Sequence, residues 1–227
     1  MTPTFTPFVR CFCLLACAAT IAVAGGLAGC ANEERVKKAD GYYREGVANL
    51  KSDQQAAFVS FQKAIMENPK HRDAHYNIGH IYALQEKWQL AEGEFREVIR
   101  IDPDYSEAYT YLGSVLKEQD RWKEAIDAFR RALKNPLYET PDVALYNLGK
   151  SLFYMGDMEG AAQCYEDALR VSPPNVSQAQ INLDLGLTYY RLGNNDKARD
   201  ALVRVTTLDK GGRYAADADK LLKRLNP

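Results

Sequence analysis

From about residue 39 onwards, apolar positions recur at the three- and four-residue spacing that is typical of amphipathic α-helices. The helical segments come in pairs, and each pair carries the same three residue types at nearly constant distances. A glycine in the first helix is followed about twelve residues later by an alanine in the second, and about four residues beyond by a large side chain. The glycines are Gly46, Gly79, Gly113, Gly149 and Gly186, which lie 33, 34, 36 and 37 residues apart. This pattern predicts stacked helix–turn–helix units.

The two other repeated residue types indicate how such a unit packs. The alanines are Ala57, Ala91, Ala125, Ala161 and Ala198, and the large residues are Phe61, Phe95, Phe129, Tyr165 and Leu202. A small residue on each helix lets the pair approach closely, and the large side chain fills the groove between neighbours. One such pair cannot bury its apolar face alone, so the units must stack. The period and its residue types resemble the tetratricopeptide repeat family, which implies an all-α, right-handed solenoid.

The predicted repeat domain covers residues 39–227 and contains about five repeats with a C-terminal capping helix. The repeats are placed at about 39–71, 72–105, 106–141, 142–177 and 179–212, and the capping helix at about 213–225. The first repeat carries Glu45 and Asn49 at positions that are apolar in the others. A terminal repeat needs a polar outer face, which explains this difference.

The first 29 residues differ in kind from the repeats. Arg10 is their only charged residue, and residues 11–29 are apolar or small, which is typical of an export signal. The segment Leu27–Cys30 resembles the lipobox of bacterial lipoproteins, in which the cysteine is lipidated and becomes N-terminal after cleavage. Because nineteen apolar residues can just span a bilayer, an uncleaved signal anchor is the alternative.

The lipobox resemblance implies a protein held at a membrane through lipid on Cys30. Residues 30–38 are then the lipidated N-terminus and a charged tether, at most about 30 Å long if it is extended. No aspartate follows the cysteine, which in a two-membrane bacterium favours the outer membrane with the protein facing the periplasm. Anchoring in the inner membrane is the alternative. Cys164 alone remains in the repeat domain, where we expect a buried structural thiol.

Composition and motifs argue against catalysis and against nucleic-acid binding. The 227 residues have a net charge of -1 and 46% apolar content, so there is no basic footprint. There is no P-loop, dinucleotide fingerprint or nucleophile motif, which predicts no enzyme activity, no cofactor and no small-molecule substrate. His71, His75 and His80 fall close together, but no carboxylate or cysteine in the sequence pattern completes a set of ligands, and we predict no metal.

The predicted binding surface is the inside of the superhelix, which first-helix positions 2, 5, 9, 12 and 13 line in the family that the chain resembles. We expect an exposed, largely apolar groove that binds another protein. The predicted groove residues are Tyr43, Val47, Leu50, Tyr76, His80, Leu84, Thr110, Ser114, Lys117, Tyr146, Lys150, Phe153, Leu183, Leu187 and Tyr190. The alternative is that a tight superhelix buries some of them.

Repeats that bind chaperone tails hold a C-terminal carboxylate with Lys and Asn on this wall. This chain has Tyr76 and Tyr146 at the lysine positions, with Asn77 and Asn147 one position away. The sequence therefore predicts an apolar or amphipathic partner segment rather than a chain terminus.

Two connections between repeats are longer than the unit requires: residues 134–141 by two residues and residues 172–178 by three. Insertions in solenoids form loops on one face and often mark binding surfaces, so Leu137 and Tyr138 are binding candidates. The alternative is that the prolines of these segments simply stiffen a longer turn.

With lipobox, tether and repeats together, the chain resembles the type IV pilus pilotin lipoproteins, the PilF/PilW and Tgl group. The sharpest likeness lies in residues 135–149, where a Leu-Tyr pair and a proline in a lengthened turn precede an Asn-Leu-Gly helix. The resemblance implies an outer-membrane lipoprotein that binds the pilus secretin and promotes its assembly or localisation. Family members commonly carry a longer C-terminal part. The alternative is a general envelope scaffold, such as an assembly lipoprotein for outer-membrane proteins or an adaptor for cell-wall hydrolases.

Overall fold

The computed structural model describes residues 32–225, and every regular element within that range is an α-helix. The predicted all-α class is therefore confirmed. Helix α1 covers residues 32–49. The helices that follow are α2 (Gln54–Glu67), α3 (Arg72–Leu84), α4 (Trp88–Ile101), α5 (Ser106–Glu118), α6 (Trp122–Ala132), α7 (Pro141–Tyr154), α8 (Met158–Arg170), α9 (Gln178–Arg191), α10 (Asn195–Leu208) and α11 (Arg213–Leu225).

The predicted signal segment 1–29 and the lipidation site Cys30 lie outside the described residues. Within residues 32–225, none of the helices combines the length and the apolar character needed to cross a bilayer.

Residues 32–38 of the predicted charged tether are helical, so this part of it is not extended. Lys37 Nζ lies 2.7 Å from Glu33 Oε1 one helical turn earlier, a spacing that stabilises a helix. Lys38 Nζ lies 2.5 Å from Glu67 Oε1, which ties α1 to the end of α2. Since a helix rises only about 1.5 Å per residue and an extended chain about 3.3 Å, residues 32–38 span less than half the length that they would have if extended.

The chain divides into two compact units, the first ending at Ala74 and the second beginning at His75, within the first turn of α3. In the first unit, Gly46 of α1 faces the fully buried ring of Phe61 on α2. A Cβ built on Gly46 would lie 2.5 Å from Phe61 Cε1, so a larger residue has no room there. After α2 the chain turns at His71, whose Nδ1 accepts a hydrogen bond from the Ala74 amide at 3.2 Å.

In the second unit, consecutive helices from α4 to α11 pack against one another. The predicted glycine contacts recur in each helix pair, and a Cβ on any of these glycines would lie 2.6–2.9 Å from the side chain opposite. The pairs are Gly79 with Phe95, Gly113 with Phe129, Gly149 with Tyr165, and Gly186 with Leu202. The stacked helix-pair fold that the period predicted is confirmed.

The first helices of successive repeats also lie beside one another, because α5 contacts α7 and α7 contacts α9. At the C-terminal end of the described chain, α11 packs on α10 and α9. It buries Ala215, Ala218 and Leu225 while its lysines and arginines stay exposed. The second unit therefore presents a row of first helices as one surface.

Candidate functional site

In the first unit, the predicted groove residues differ in how deeply they lie. Tyr43 is half-buried, with its ring centroid 5.7 Å from that of Phe61 and 4.9 Å from that of His71. Leu50 is also half-buried, whereas Val47 is 44% exposed. Tyr43 therefore contributes to packing in this unit.

In the second unit, most of the predicted groove residues are neither core nor fully exposed. Leu84 is the most exposed of them, at 71%. We call the half-buried set the first-helix wall: Tyr76, His80, Ser114, Lys117, Lys150, Phe153, Leu183, Leu187 and Tyr190. Each has a covered flank and an accessible one, which is the condition expected of a surface that packs against a partner.

The predictions for Thr110 and Tyr146 are wrong, because both side chains are buried, at 3% and 6% exposure. The Thr110 hydroxyl lies 2.8 Å from the Tyr138 hydroxyl, which covers it. The Tyr146 hydroxyl donates to Asp184 Oδ2 at 2.7 Å and accepts from Gln180 Nε2 at 2.8 Å. Residues of the following turn or helix therefore close over both positions, as the tight-superhelix alternative anticipated.

An aromatic cluster occupies the N-terminal part of the wall. The Tyr76 ring meets Tyr105 and Tyr111 edge-on, with ring centroids 5.4 and 5.6 Å apart. The ring centroids of His80 and Tyr111 are 3.9 Å apart. Burial raises the pKa of Tyr76 and lowers that of His80, so both rings are neutral near pH 7. Sequence reasoning missed Tyr105 and Tyr111, whose only signal was that they are aromatic.

Two lysines of the first-helix wall lie where α5 meets α7. Lys117 Nζ donates to Asn147 Oδ1 at 3.4 Å, and its side chain is only 16% exposed. Lys150 lies one turn beyond Asn147, with Nζ 5.6 Å from the centroid of the Tyr146 ring. Burial, and next the charge of Lys150, lower the pKa of Lys117. The first-helix wall thus carries two positive charges, to which the sequence pattern assigned no role.

A half-buried carboxylate, Asp184 of α9, lies near Lys150. Burial raises the pKa of Asp184, although the hydrogen bond from Tyr146 and the charge of Lys150 act in the opposite direction. Gln180, one turn earlier, accepts a hydrogen bond from the Tyr214 hydroxyl of α11 at 3.1 Å. Neither Asp184 nor Gln180 was predicted, because α9 carries several other polar residues and none of them stands out in the sequence.

The first long turn has one buried and one exposed member. Tyr138, one of the two predicted loop candidates, is 8% exposed and packs with Ala132 and Ala144, so its side chain is not accessible to a partner. Leu137 is 84% exposed and borders a cavity of about 480 Å³ that Pro103 also lines. Leu137 therefore stays a binding candidate, whereas Tyr138 anchors the turn.

The second long turn is held by Asp142, which is fully buried at the start of α7. Its Oδ2 accepts hydrogen bonds from the Asn175 amide at 2.6 Å and the Val176 amide at 2.8 Å, and its Oδ1 accepts from Asn175 Nδ2 at 3.0 Å. Sequence reasoning missed Asp142, which has the appearance of an ordinary first-turn acid.

The histidines and Cys164 are engaged in packing and hydrogen bonding. His75 Nδ1 lies 2.6 Å from Glu94 Oε2, a carboxylate partner that the sequence pattern did not reveal. Among the described residues there is no group of three His, Cys, Asp or Glu side chains that could hold a metal ion. Burial raises the pKa of the half-buried Cys164 thiol to about 11, so it stays protonated near pH 7.

Comparison with known proteins agrees with this geometry. A family model described as tetratricopeptide repeat matches residues 70–136 and 142–210. No curated protein matches the chain.

Three solved structures share the fold. PilF of Pseudomonas aeruginosa is 23% identical over 84% of this chain and 86% of that chain, with a TM-score of 0.71. PilW, a widely conserved type IV pilus biogenesis factor, is 22% identical over 74% and 76%, with a TM-score of 0.65. YrrB, a repeat protein with an unusual peptide-binding site, is 22% identical over 83% and 95%, with a TM-score of 0.68. At these identities the likeness shows the fold alone, but the family model covers more than half of the sequence, and the chain belongs to the tetratricopeptide repeat family.

Proposed function

We propose that this protein is a membrane-anchored scaffold that binds a segment of another protein along its first-helix wall and performs no catalysis. The observation that carries the proposal is that aromatic and aliphatic wall residues, such as Phe153, Leu187 and Tyr190, remain half-buried above a filled core. Such side chains gain free energy when a partner covers them. Stacked repeats commonly provide binding surfaces of this kind, and YrrB has a peptide-binding site on the same fold.

We further propose that the partner is a secretin subunit and that the scaffold acts as a pilotin-like factor in type IV pilus biogenesis. The support is the likeness of residues 135–149 to the pilotin pattern, together with the fold shared with PilF and PilW. The lipobox-like segment ending at Cys30 supports an anchor in the outer membrane, with the repeats in the periplasm.

Deletion of this protein is expected to abolish the SDS-resistant multimers of the pilus secretin while other outer-membrane proteins stay at normal levels. The measurement is an immunoblot of unboiled envelope fractions, with re-expression of the wild-type chain as the control. Intact multimers in the deletion strain would contradict the pilotin role. Broad loss of outer-membrane proteins would instead support the general envelope scaffold.

Cys30→Ser is expected to leave the protein unlipidated and to remove it from the outer-membrane fraction, because a thioether-linked lipid needs the cysteine sulfur. Metabolic labelling with an alkyne fatty acid, followed by sucrose-gradient fractionation, measures both effects. Cys164→Ser is the matched control, since a half-buried thiol within the repeats should not affect the anchor. Unchanged labelling and fractionation of the Cys30 variant would contradict the anchor.

A further inference from the structure

The first-helix wall contains a basic site between α5 and α7. Lys117 extends from the last turn of α5 to the Asn147 side chain, and Lys150 follows Asn147 by three residues, on the same face of α7. Asn147 is itself fixed, because its Nδ2 donates to the Val143 carbonyl at 2.9 Å and thereby leaves Oδ1 for Lys117. Asn147 therefore orients the Lys117 ammonium toward the face that bears Lys150.

The anionic neighbours of the two lysines are Glu118, which forms a long ion pair with Lys117, and Asp184, which feels the charge of Lys150. The oxygens near Lys117 Nζ are Asn147 Oδ1 at 3.4 Å and Glu118 Oε1 at 3.5 Å, whereas ammonium–carboxylate contacts are commonly 2.7–2.9 Å. Among residues 32–225, Lys150 takes part in no ion pair and lies instead over the Tyr146 ring. The two ammonium groups are close enough for the charge of Lys150 to lower the pKa of the poorly solvated Lys117. An anion between them would offset this repulsion and supply a closer acceptor.

We propose that Lys117 and Lys150 form a subsite for one side-chain carboxylate, Asp or Glu, within the partner segment that the wall binds. This inference rests on the proposed binding function and specifies the chemistry of its partner. These lysines lie at other wall positions than Tyr76 and Tyr146, which are the positions of the lysines in repeats that hold a C-terminal carboxylate.

The surroundings of the lysines favour an acid inside a segment over a chain terminus. Wall residues continue on both sides of the basic site, with Tyr76 and His80 toward the N-terminus and Leu183 and Leu187 toward the C-terminus of the second unit. A bound segment that covers this surface must run past the lysines in both directions. Since the carboxylate of Asp184 lies on one side of Lys150, a second acid at that end would be repelled. The expected motif is one acidic residue flanked by apolar residues.

The test uses a phage-displayed library of random twelve-residue peptides, selected on the purified full chain. Parallel selections use the double variant Lys117→Gln/Lys150→Gln and a control, Lys123→Gln/Lys134→Gln, which removes two exposed lysines of α6 and the turn after it. The wild type and the control are expected to enrich peptides with one Asp or Glu between apolar residues. The double variant should enrich apolar peptides without a preferred acid, and its circular dichroism spectrum should match the wild type.

A synthetic, C-terminally amidated peptide of the selected sequence then isolates the carboxylate. Changing its acid to the corresponding amide should weaken binding to the wild type roughly tenfold or more in fluorescence anisotropy, because a charge-assisted contact is lost. The same change should have little effect on binding to the double variant, which completes a double-mutant cycle.

Three outcomes would overturn the inference. The wild type enriches purely apolar peptides, the acid and amide peptides bind the wild type equally well, or the change from acid to amide weakens binding equally to the wild type and the double variant. The peptide in which Asn or Gln replaces the acid is also made with a free C-terminal carboxylate. If this form binds more tightly than the amidated form, the assignment to a side-chain acid is overturned. If no peptide is enriched on any of the proteins, the proposed scaffold function is contradicted as well.

Discussion

Replacing Gly113 with alanine is expected to lower the free energy of unfolding by about 2 kcal/mol. The new Cβ would lie 2.6 Å from Phe129 Cε1 and 2.8 Å from Cδ1 and Cζ, and the Phe129 ring is fully buried. Overpacking of this kind costs about 1–3 kcal/mol. At the upper end of that range it outweighs the gain of about 1 kcal/mol that alanine brings to a helix interior.

The matched control is Gly93→Ala on α4, where a Cβ would meet nothing within 4 Å. This change should raise the free energy of unfolding by about 0.5–1 kcal/mol, since only the propensity gain remains. Urea denaturation followed by circular dichroism measures both variants. Adding Phe129→Leu to Gly113→Ala should recover part of the loss, because the smaller side chain relieves the contact. If the two alanine variants shift stability in the same direction, the contact does not limit residue size.

Replacing Asp142 with alanine is expected to cost about 3 kcal/mol. The change removes three hydrogen bonds and leaves the amides of Asn175 and Val176 without their acceptor in a partly buried turn. An unsatisfied buried donor costs about 1–3 kcal/mol, and contacts to a charged acceptor are at the upper end. The effect should be visible both in thermal unfolding and as faster hydrogen exchange at those two amides.

Glu139→Ala provides the control for Asp142, because Glu139 is exposed in the turn just before the same helix. It should change stability by less than about 0.5 kcal/mol, as surface substitutions usually do. Asp142→Asn should fall between the two, since the amide keeps one acceptor of the same size. Unchanged exchange at Asn175 and Val176 in the alanine variant would show that Asp142 does not hold the turn.

The fold could be predicted from sequence because the repeated residues contact each other and are separated by a nearly constant number of residues. Gly149 and Tyr165 are one example: the Tyr165 ring fits only because residue 149 has no side chain, so the two residue types at their fixed spacing reveal the contact. The burial of a wall residue could not be predicted in this way. Its position on the helix indicates which way the side chain points, but not which residues cover it. Tyr146 and Thr110 face the predicted side, yet Asp184 and Tyr138 cover them.

Contacts between residues far apart in sequence were the least accessible. Asp142 contacts a turn 33 residues later, and Lys117 reaches Asn147 across 30 residues. Neither pair has a fixed spacing within the repeat, so periodicity contains no signal for them. The helix over residues 32–38 was missed for another reason: these residues have no apolar face, and charge pairs such as Glu33 with Lys37 take its place.

The row of α5, α7 and α9 has a consequence for how the second unit opens. Each of these helices contacts mainly the helices directly before and after it in the chain, so separation between two repeats leaves the helices on either side still paired with their own partners. Solvent should therefore enter at discrete seams between repeats, and protection from exchange should change in steps along the chain. The Asp142 anchor bridges one such seam, because it joins the start of α7 to the turn before α9.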